Sequence, residues 1–226
     1  MNTSNQILPI NAASAMAPAM ALALCSSFGS VATWRESFAA VARAHAGEAA
    51  RAELAFEPAA AMLMNRRVAN DSRGASRTVP GDDATPILAM PLHAPAEPET
   101  FIAGIDWPSA YQRYTEAVHA ASAPFAAHAA DLGEALLLDV RRAGVFEAAS
   151  TQLAGATWRD PACVSDWAGQ LPAGREVIVY CVYGHEVGRV TAMRLQARGV
   201  NARFLEGGID AWQSAGHRTV PKGEAS

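Results

Sequence analysis

The sequence predicts an α/β chain of two domains, the second built on a parallel sheet flanked by helices. Beyond about residue 134, short apolar runs alternate with helical patterns, which is typical of parallel strands connected by helices. The first half instead combines helical patterns with separate short strand patterns, which predict a smaller α+β domain. The length of 226 residues fits two modest domains.

Four segments are predicted along the chain. Residues 1–17 are rich in Asn, Ser and Ala and are expected to be disordered. Residues 18–121 are expected to form the α+β domain, and the alanine-rich residues 122–133 a linker. Residues 134–222 are expected to form the domain with the parallel sheet.

The composition bears on both partners and compartment. The formal net charge is -4 and the basic residues are scattered, so nucleic-acid binding has no electrostatic support. Three cysteines, Cys25, Cys163 and Cys181, are too few and too widely spaced for a disulfide framework or a CxxC metal site. A reduced, cytoplasmic setting is therefore expected.

An apolar segment over residues 12–25 could suggest a signal peptide or a lipid anchor. However, no Lys or Arg precedes Arg35, so the positive region of a signal peptide is missing. The segment is also short and is interrupted by Pro18, so it is not expected to cross a membrane. We interpret it as a loop and a short helix, and we expect no membrane partner.

Two helices and three strands are predicted in the first half. Trp34, Phe38 and Val41 recur on one face of a helix over residues 34–46. Asp106 is expected to cap a second helix that ends near Ala121. The predicted strands are residues 52–56, 61–64 and 86–90, with a polar loop over residues 70–83.

Three motifs connect the first half with a known family. They are Phe28-Gly-Ser-x-x-x-Trp34-x-x-x-Phe38, Thr85-Pro-Ile-Leu, and Ile105-Asp-Trp107 followed by Tyr114. Through these three motifs, the stretch from about residue 18 to residue 120 resembles the C-terminal α/β domain of iron/manganese superoxide dismutases. The resemblance implies that fold, and it implies a homodimer as one candidate assembly.

The metal site of that family is not expected in this chain. The family carries Asp-x-Trp-Glu-His-Ala-Tyr where this sequence reads Met90-Pro-Leu-His93-Ala-Pro95, so at best His93-Ala94 is retained and the ligand Asp has no counterpart. A redox metal needs three or four fixed ligands. We therefore expect neither a metal nor another cofactor, and residual metal-dependent dismutase activity is kept only as an alternative.

The second half is predicted to alternate strands and helices. A buried strand over residues 136–140 carries Asp139 near its end and is followed by Arg141. The other predicted strands are residues 153–158, 177–181 and 202–205, and the predicted helices are residues 144–149, 164–170 and 186–197 with a last one opening at Gly207.

One stretch of this half has the pattern of a reactive thiol. An apolar, β-branched run ends in Cys181, a turn centred on Gly184 follows, and then a helical pattern begins. Such a strand–loop–helix places the thiol among backbone N–H groups at the positive end of a helix. That geometry predicts a lowered thiol pKa and a bound anion beside it.

Four motifs, in order, place this thiol in a family. They are Leu138-Asp139-Val140-Arg141, Leu153-x-Gly155-Ala156, Val179-Tyr180-Cys181-x-x-Gly184 and Leu205-x-Gly207-Gly208-x-x-x-Trp212. Because of these four motifs, residues from about 130 to 222 are similar to the rhodanese (sulfurtransferase) domain. The resemblance implies Cys181 as the catalytic residue, a substrate-binding loop of Val182, Tyr183, Gly184, His185 and Glu186, and supporting roles for Asp139 and Arg141.

The resemblance implies an enzyme that moves sulfur from a small donor, such as thiosulfate, to a thiol or cyanide-like acceptor through a Cys181 persulfide. The alternative is a module that carries persulfide or senses redox state without turnover. Phosphatases and arsenate reductases of the same fold have a longer loop that closes on an arginine six positions after the cysteine, where this chain has Val187. The shorter loop favours sulfur chemistry.

Glu186 does not fit the prediction that an anionic donor binds beside Cys181. It places a negative charge near an anion site, which disfavours thiosulfate unless the side chain points outward or pairs with Arg189. Cys163 lies outside any such loop and is expected to be structural.

Overall fold

The computed structural model describes residues 15–70, 83–93 and 97–223. Most of the N-terminus predicted to be disordered, and most of the loop predicted over residues 70–83, lie outside the described residues. Within the described residues, no helix combines the length and the apolar character needed to cross a membrane.

The first half is an α+β arrangement. Its elements are α1 (Pro18–Phe28), α2 (Val31–Ala44), β1 (Ala50–Glu57), β2 (Met62–Ala69), β3 (Thr85–Pro91), α3 (Pro98–Ala103) and α4 (Trp107–Ser122). The strands form an antiparallel sheet in the order β2-β1-β3. Asp106 caps α4 by accepting a hydrogen bond from the backbone N–H of Ser109. The short helix α3 was not predicted, because six residues carry too little periodicity.

The second half confirms the predicted α/β arrangement with a parallel sheet flanked by helices. Its elements are β4 (Ala126–Ala127), β5 (Leu136–Asp139), α5 (Ala143–Ala148), β6 (Thr151–Gln152), β7 (Thr157–Trp158), α6 (Val164–Trp167), β8 (Val177–Tyr180), α7 (Glu186–Gln196), β9 (Ala202–Leu205), α8 (Gly208–Ser214) and β10 (Val220–Pro221). The parallel sheet has the order β4-β9-β8-β5-β7, and β6 pairs with β10.

Strand β4 lies inside the segment predicted to be a linker, residues 122–133. It pairs with β9 in parallel, so this part of the chain is an edge of the sheet rather than a plain connection. Two alanines carry no alternation of polar and apolar residues, which is why the sequence pattern does not predict the strand.

The sheet brings two of the predicted site residues to one edge. All four residues of β8 are buried, and β8 lies between β5 and β9. The register places Asp139, the last residue of β5, opposite Tyr180, the last residue of β8. Because parallel strands end at the same edge, Asp139 and Cys181 both lie at the carboxyl edge, where α/β sheets bind ligands.

The two halves share part of a hydrophobic core. Val190 and Met193 of α7 belong to the same buried cluster as Trp34 and Tyr114 of the first half. The buried Arg194 donates from Nε to the carbonyl oxygen of Ala61, at 3.1 Å. The helix that follows the Cys181 loop is therefore packed against the first half along its length.

Candidate active site

The Cys181 side chain lies at the base of a turn formed by residues 181–185. It follows β8 directly and is 6% exposed. The backbone N–H groups of Gly184, His185 and Gly188 face its sulfur and favour a negative charge there. Three N–H groups that converge on one sulfur stabilise a negative charge there, which is the requirement of a thiolate or a persulfide anion.

The prediction of a lowered thiol pKa is wrong. Burial raises the pKa of the Cys181 thiol above its ordinary value, and the three backbone hydrogen bonds offset only part of this effect. The negative charge of Glu186 raises the pKa further. The pattern of a strand, a loop and a helix predicts the donors, but it does not reveal how completely the thiol is buried.

Two glycines, Gly184 and Gly208, allow the turn to pack closely against α8. Gly184 has a φ of +66°, and a Cβ atom there would lie 2.4 Å from the nitrogen of Gly207. A Cβ atom on Gly208 would lie 2.5 Å from the carbonyl oxygen of Cys181. The N–H of Ile209 donates to that same carbonyl at 3.0 Å, so the start of α8 holds the turn from behind.

Asp139 and Arg141 form a buried ion pair beside the turn. Arg141 Nε lies 2.9 Å from each carboxylate oxygen of Asp139, and Arg141 Nη2 also donates to Oδ2. The Tyr180 hydroxyl donates to Oδ2 at 2.9 Å. Both charged side chains are at most 5% exposed. Asp139 does not line the cavity described below, which fits a supporting role for this carboxylate.

Arg189 bonds to groups other than Glu186. Its Nε donates to the carbonyl oxygen of Gly184 at 2.8 Å, and its Nη1 donates to Ser122 Oγ at 3.1 Å. The guanidinium carbon lies 4.2 Å from the centre of the Phe204 ring. Arg189 therefore ties the turn to the end of α4 and forms no direct ion pair with Glu186, although the two charges attract each other.

Glu186 points inward and is 6% exposed. The hydroxyl of Tyr111, on α4 of the first half, donates to Glu186 Oε1 at 2.7 Å. The other carboxylate oxygen, Oε2, has no hydrogen-bond partner in the described part of the chain. Burial, together with this bond to Glu186, raises the pKa of Tyr111. Glu186 therefore neither points outward nor pairs with Arg189, so its negative charge is expected to disfavour thiosulfate.

A cavity of ≈ 240 Å³ opens beside Cys181. One wall consists of the turn and of Arg141, Arg142 and Val145. The opposite wall comes from the first half and consists of Ala17 to Ala19, at the start of α1, and Tyr111. Tyr183 and His185 of the predicted loop lie exposed at the mouth of the cavity.

Several of these residues were not predicted from the sequence. Gly188 could have been found, because a glycine in the first turn of a helix lets the backbone approach a neighbour, and a Cβ atom there would lie 3.4 Å from the Cys181 sulfur. Tyr111 and the start of α1 come from the other half of the chain, and no local pattern points to them.

In the described part of the chain, no three His, Cys, Asp or Glu residues are grouped so that they could hold a metal ion. His93, the one histidine that the predicted dismutase resemblance would match to a ligand, is exposed just after β3.

Comparison with known families decides the nature of the second half. Residues 123–215 match the family model of the rhodanese-like domain. The chain contains a rhodanese-like domain. The match begins at residue 123, upstream of the predicted boundary at residue 134, and so includes β4. It leaves the first half untested, and the resemblance of that half to superoxide dismutases stays a prediction.

Solved structures similar to the chain include rhodanese-related and sulfurtransferase proteins. A rhodanese-related protein from Thermoplasma volcanium is 24% identical, with 42% of this chain and 96% of that chain covered and a TM-score of 0.38. A thiosulfate sulfurtransferase from Pseudomonas aeruginosa is 22% identical, with 38% of this chain and 16% of that chain covered and a TM-score of 0.34. No curated protein matches the chain.

A third similar structure has a different description. A protein of unknown function from Rhodopseudomonas palustris, described as a possible tyrosine phosphatase, is 18% identical, with 47% of this chain and 93% of that chain covered and a TM-score of 0.42. At these identities the likeness concerns the fold of the rhodanese-like domain and does not choose between activities.

Proposed function

We propose that the rhodanese-like domain is a sulfurtransferase that carries sulfur as a persulfide on Cys181. The Cys181 thiolate attacks the outer sulfur of a donor such as thiosulfate, the S–S bond of the donor breaks, and sulfite leaves with the bonding electron pair. A thiolate or cyanide then attacks the outer sulfur of the persulfide. The bond to Cys181 breaks and the thiolate is regenerated.

One observation carries this proposal: three backbone N–H groups converge on the sulfur of Cys181 beside a cavity of ≈ 240 Å³. Donors fixed in this way stabilise charge without reorganising during the reaction. The ion pair of Asp139 and Arg141 supports the turn from the neighbouring strand. The limited volume of the cavity supports small molecules as donor and acceptor.

Sulfur transfer from thiosulfate or methanethiosulfonate to cyanide tests the proposal. Cys181→Ser is expected to abolish thiocyanate formation with either donor, because the hydroxyl cannot form a persulfide. Cys163→Ser is the matched control, since Cys163 is exposed and lies outside the cavity. It is expected to retain the parent rate. Equal rates for Cys181→Ser and the parent protein would refute the proposal.

A persulfide carrier without rapid turnover is the second candidate. The burial of Cys181 and its raised thiol pKa favour it, because little thiolate is present near neutral pH. The same assay distinguishes the two. Rapid, repeated formation of thiocyanate indicates an enzyme, whereas a carrier that has been loaded beforehand releases one equivalent rapidly and forms further thiocyanate only slowly.

A further inference from the structure

Glu186 places a negative charge in the cavity beside Cys181, where a site that binds anions is expected to carry none. It is the first residue of α7, the helix whose N-terminus faces Cys181. A carboxylate in the first turn offsets the positive end of the helix dipole. The helix therefore attracts an anion in the cavity less strongly than a helix without this carboxylate.

We propose that Glu186, held in place by Tyr111, makes the site select sulfur donors by charge. Donors with one negative charge, such as organic thiosulfonates, are accepted in preference to the dianion thiosulfate. This inference rests on the proposed sulfurtransferase function and names the class of donor that the function uses.

The position of the Glu186 carboxylate is fixed from the first half of the chain. The Tyr111 hydroxyl binds Oε1 at 2.7 Å, and both residues line the cavity next to Cys181. With Glu186 only 6% exposed, water screens its charge poorly. A second negative charge on a donor bound at Cys181 therefore meets a carboxylate that cannot swing away into solvent.

Among the arginines around the site, one guanidinium both lines the cavity and lacks a partner in the described part of the chain. The titratable and charged groups packed around Cys181 and Glu186 are Tyr111, Tyr114 and His119 on α4, Arg141 and Arg142 after β5, His185 in the turn, and Arg189 and Arg194 on α7. Arg141 is neutralised by Asp139, whereas Arg189 and Arg194 bond the carbonyl oxygens of Gly184 and Ala61 and do not line the cavity.

Arg142 is the remaining arginine of this group. It lines the cavity, and its side chain has no hydrogen-bond or ion-pair partner among the described residues. One guanidinium can balance one negative charge of a donor. The second charge of thiosulfate would have to be accommodated against Glu186, so the balance of charge in the cavity favours a monoanion.

Two donors of nearly equal size isolate the effect of charge. Methanethiosulfonate differs from thiosulfate in having a methyl group in place of one anionic oxygen. The Cys181 thiolate attacks its outer sulfur, the S–S bond breaks, and methanesulfinate leaves with the electron pair. The product on the protein is the same persulfide anion, so only the donor and the leaving group differ between the two reactions.

The experiment measures the rate constant for persulfide formation with each donor, at equal ionic strength and in the full chain. Glu186→Gln is expected to raise the rate ratio of thiosulfate to methanethiosulfonate by about tenfold or more, because it removes a poorly screened charge. Glu186→Met, which is uncharged and of similar length, is expected to do the same. Since the ratio is taken within one preparation, a loss of folded protein cancels.

Glu147→Gln is the matched control, because Glu147 is an exposed glutamate on α5 that does not line the cavity. It is expected to leave the ratio at the parent value. If Glu186→Gln and Glu186→Met both form persulfide with an unchanged ratio, the inference is overturned while the proposed function stands. If neither donor yields persulfide in the parent protein or in the variants, the proposed function fails and the inference fails with it.

Discussion

Gly184→Ala is expected to lower the free energy of unfolding by about 2–4 kcal/mol, from the left-handed backbone and the steric overlap together. Gly184 has a φ of +66°, and its new Cβ atom would lie 2.4 Å from the nitrogen of Gly207 and 3.0 Å from that of Gly208. These are backbone atoms at the start of α8, so they cannot move aside as a flexible side chain would. The turn must shift instead, and the N–H groups that converge on Cys181 shift with it.

Chemical denaturation gives the loss of stability, and alkylation of Cys181 by iodoacetamide reports on the turn. Gly199→Ala is the matched control, because Gly199 has a φ of +78° but has no atom within 4 Å of the new Cβ. Gly199→Ala is expected to lower the free energy of unfolding by about 1–2 kcal/mol, from the left-handed backbone alone. Equal losses for the two variants, with unchanged alkylation of Cys181, would contradict the close packing of the turn on α8.

Asp139→Ala is expected to cost about 3–5 kcal/mol of stability, because it leaves a buried guanidinium without its carboxylate. Arg141 is only 5% exposed, so water hydrates its charge poorly. The Tyr180 hydroxyl loses its acceptor in the same change. Sulfur transfer is expected to fall as well, since the turn begins directly after Tyr180.

Thermal and denaturant unfolding measure the effect of Asp139→Ala. Glu176→Ala provides the comparison, because it breaks a partly exposed ion pair with Arg203, at 3.5 Å. Such pairs contribute less than about 1 kcal/mol. If the two variants lost the same stability, the buried pair of Asp139 and Arg141 would not have the supporting role described above.

The parts of the site that are local in the sequence could be predicted. Cys181, Gly184 and the start of α7 follow one another along a strand, a turn and a helix, and each leaves its own pattern. These features depend on neighbours within a few residues, which is the range that sequence patterns report. The pair Gly207-Gly208 is different, because Gly208 contacts the distant Cys181 turn, and only the resemblance to the rhodanese domain points to it.

The parts that depend on the first half could not be predicted. The bond between Tyr111 and Glu186 joins residues 75 positions apart, so no local pattern reports it. The pKa of Cys181 differs in direction from the prediction because the burial of the thiol outweighs the local N–H donors, and a local sequence pattern does not report burial. From the sequence, Pro18 is expected to interrupt the apolar segment, but Pro18 is the first residue of α1. Its missing N–H is harmless there, because the first N–H groups of a helix have no partner within the helix.

Mass spectrometry of the full chain after incubation with thiosulfate or methanethiosulfonate tests the central claim most directly. The expected result is a gain of one sulfur atom, located on the peptide that contains Cys181, lost on treatment with cyanide and absent from Cys181→Ser. An unmodified Cys181 after incubation with both donors, or an added sulfur on Cys163 alone, would contradict the claim that this chain moves sulfur through a Cys181 persulfide.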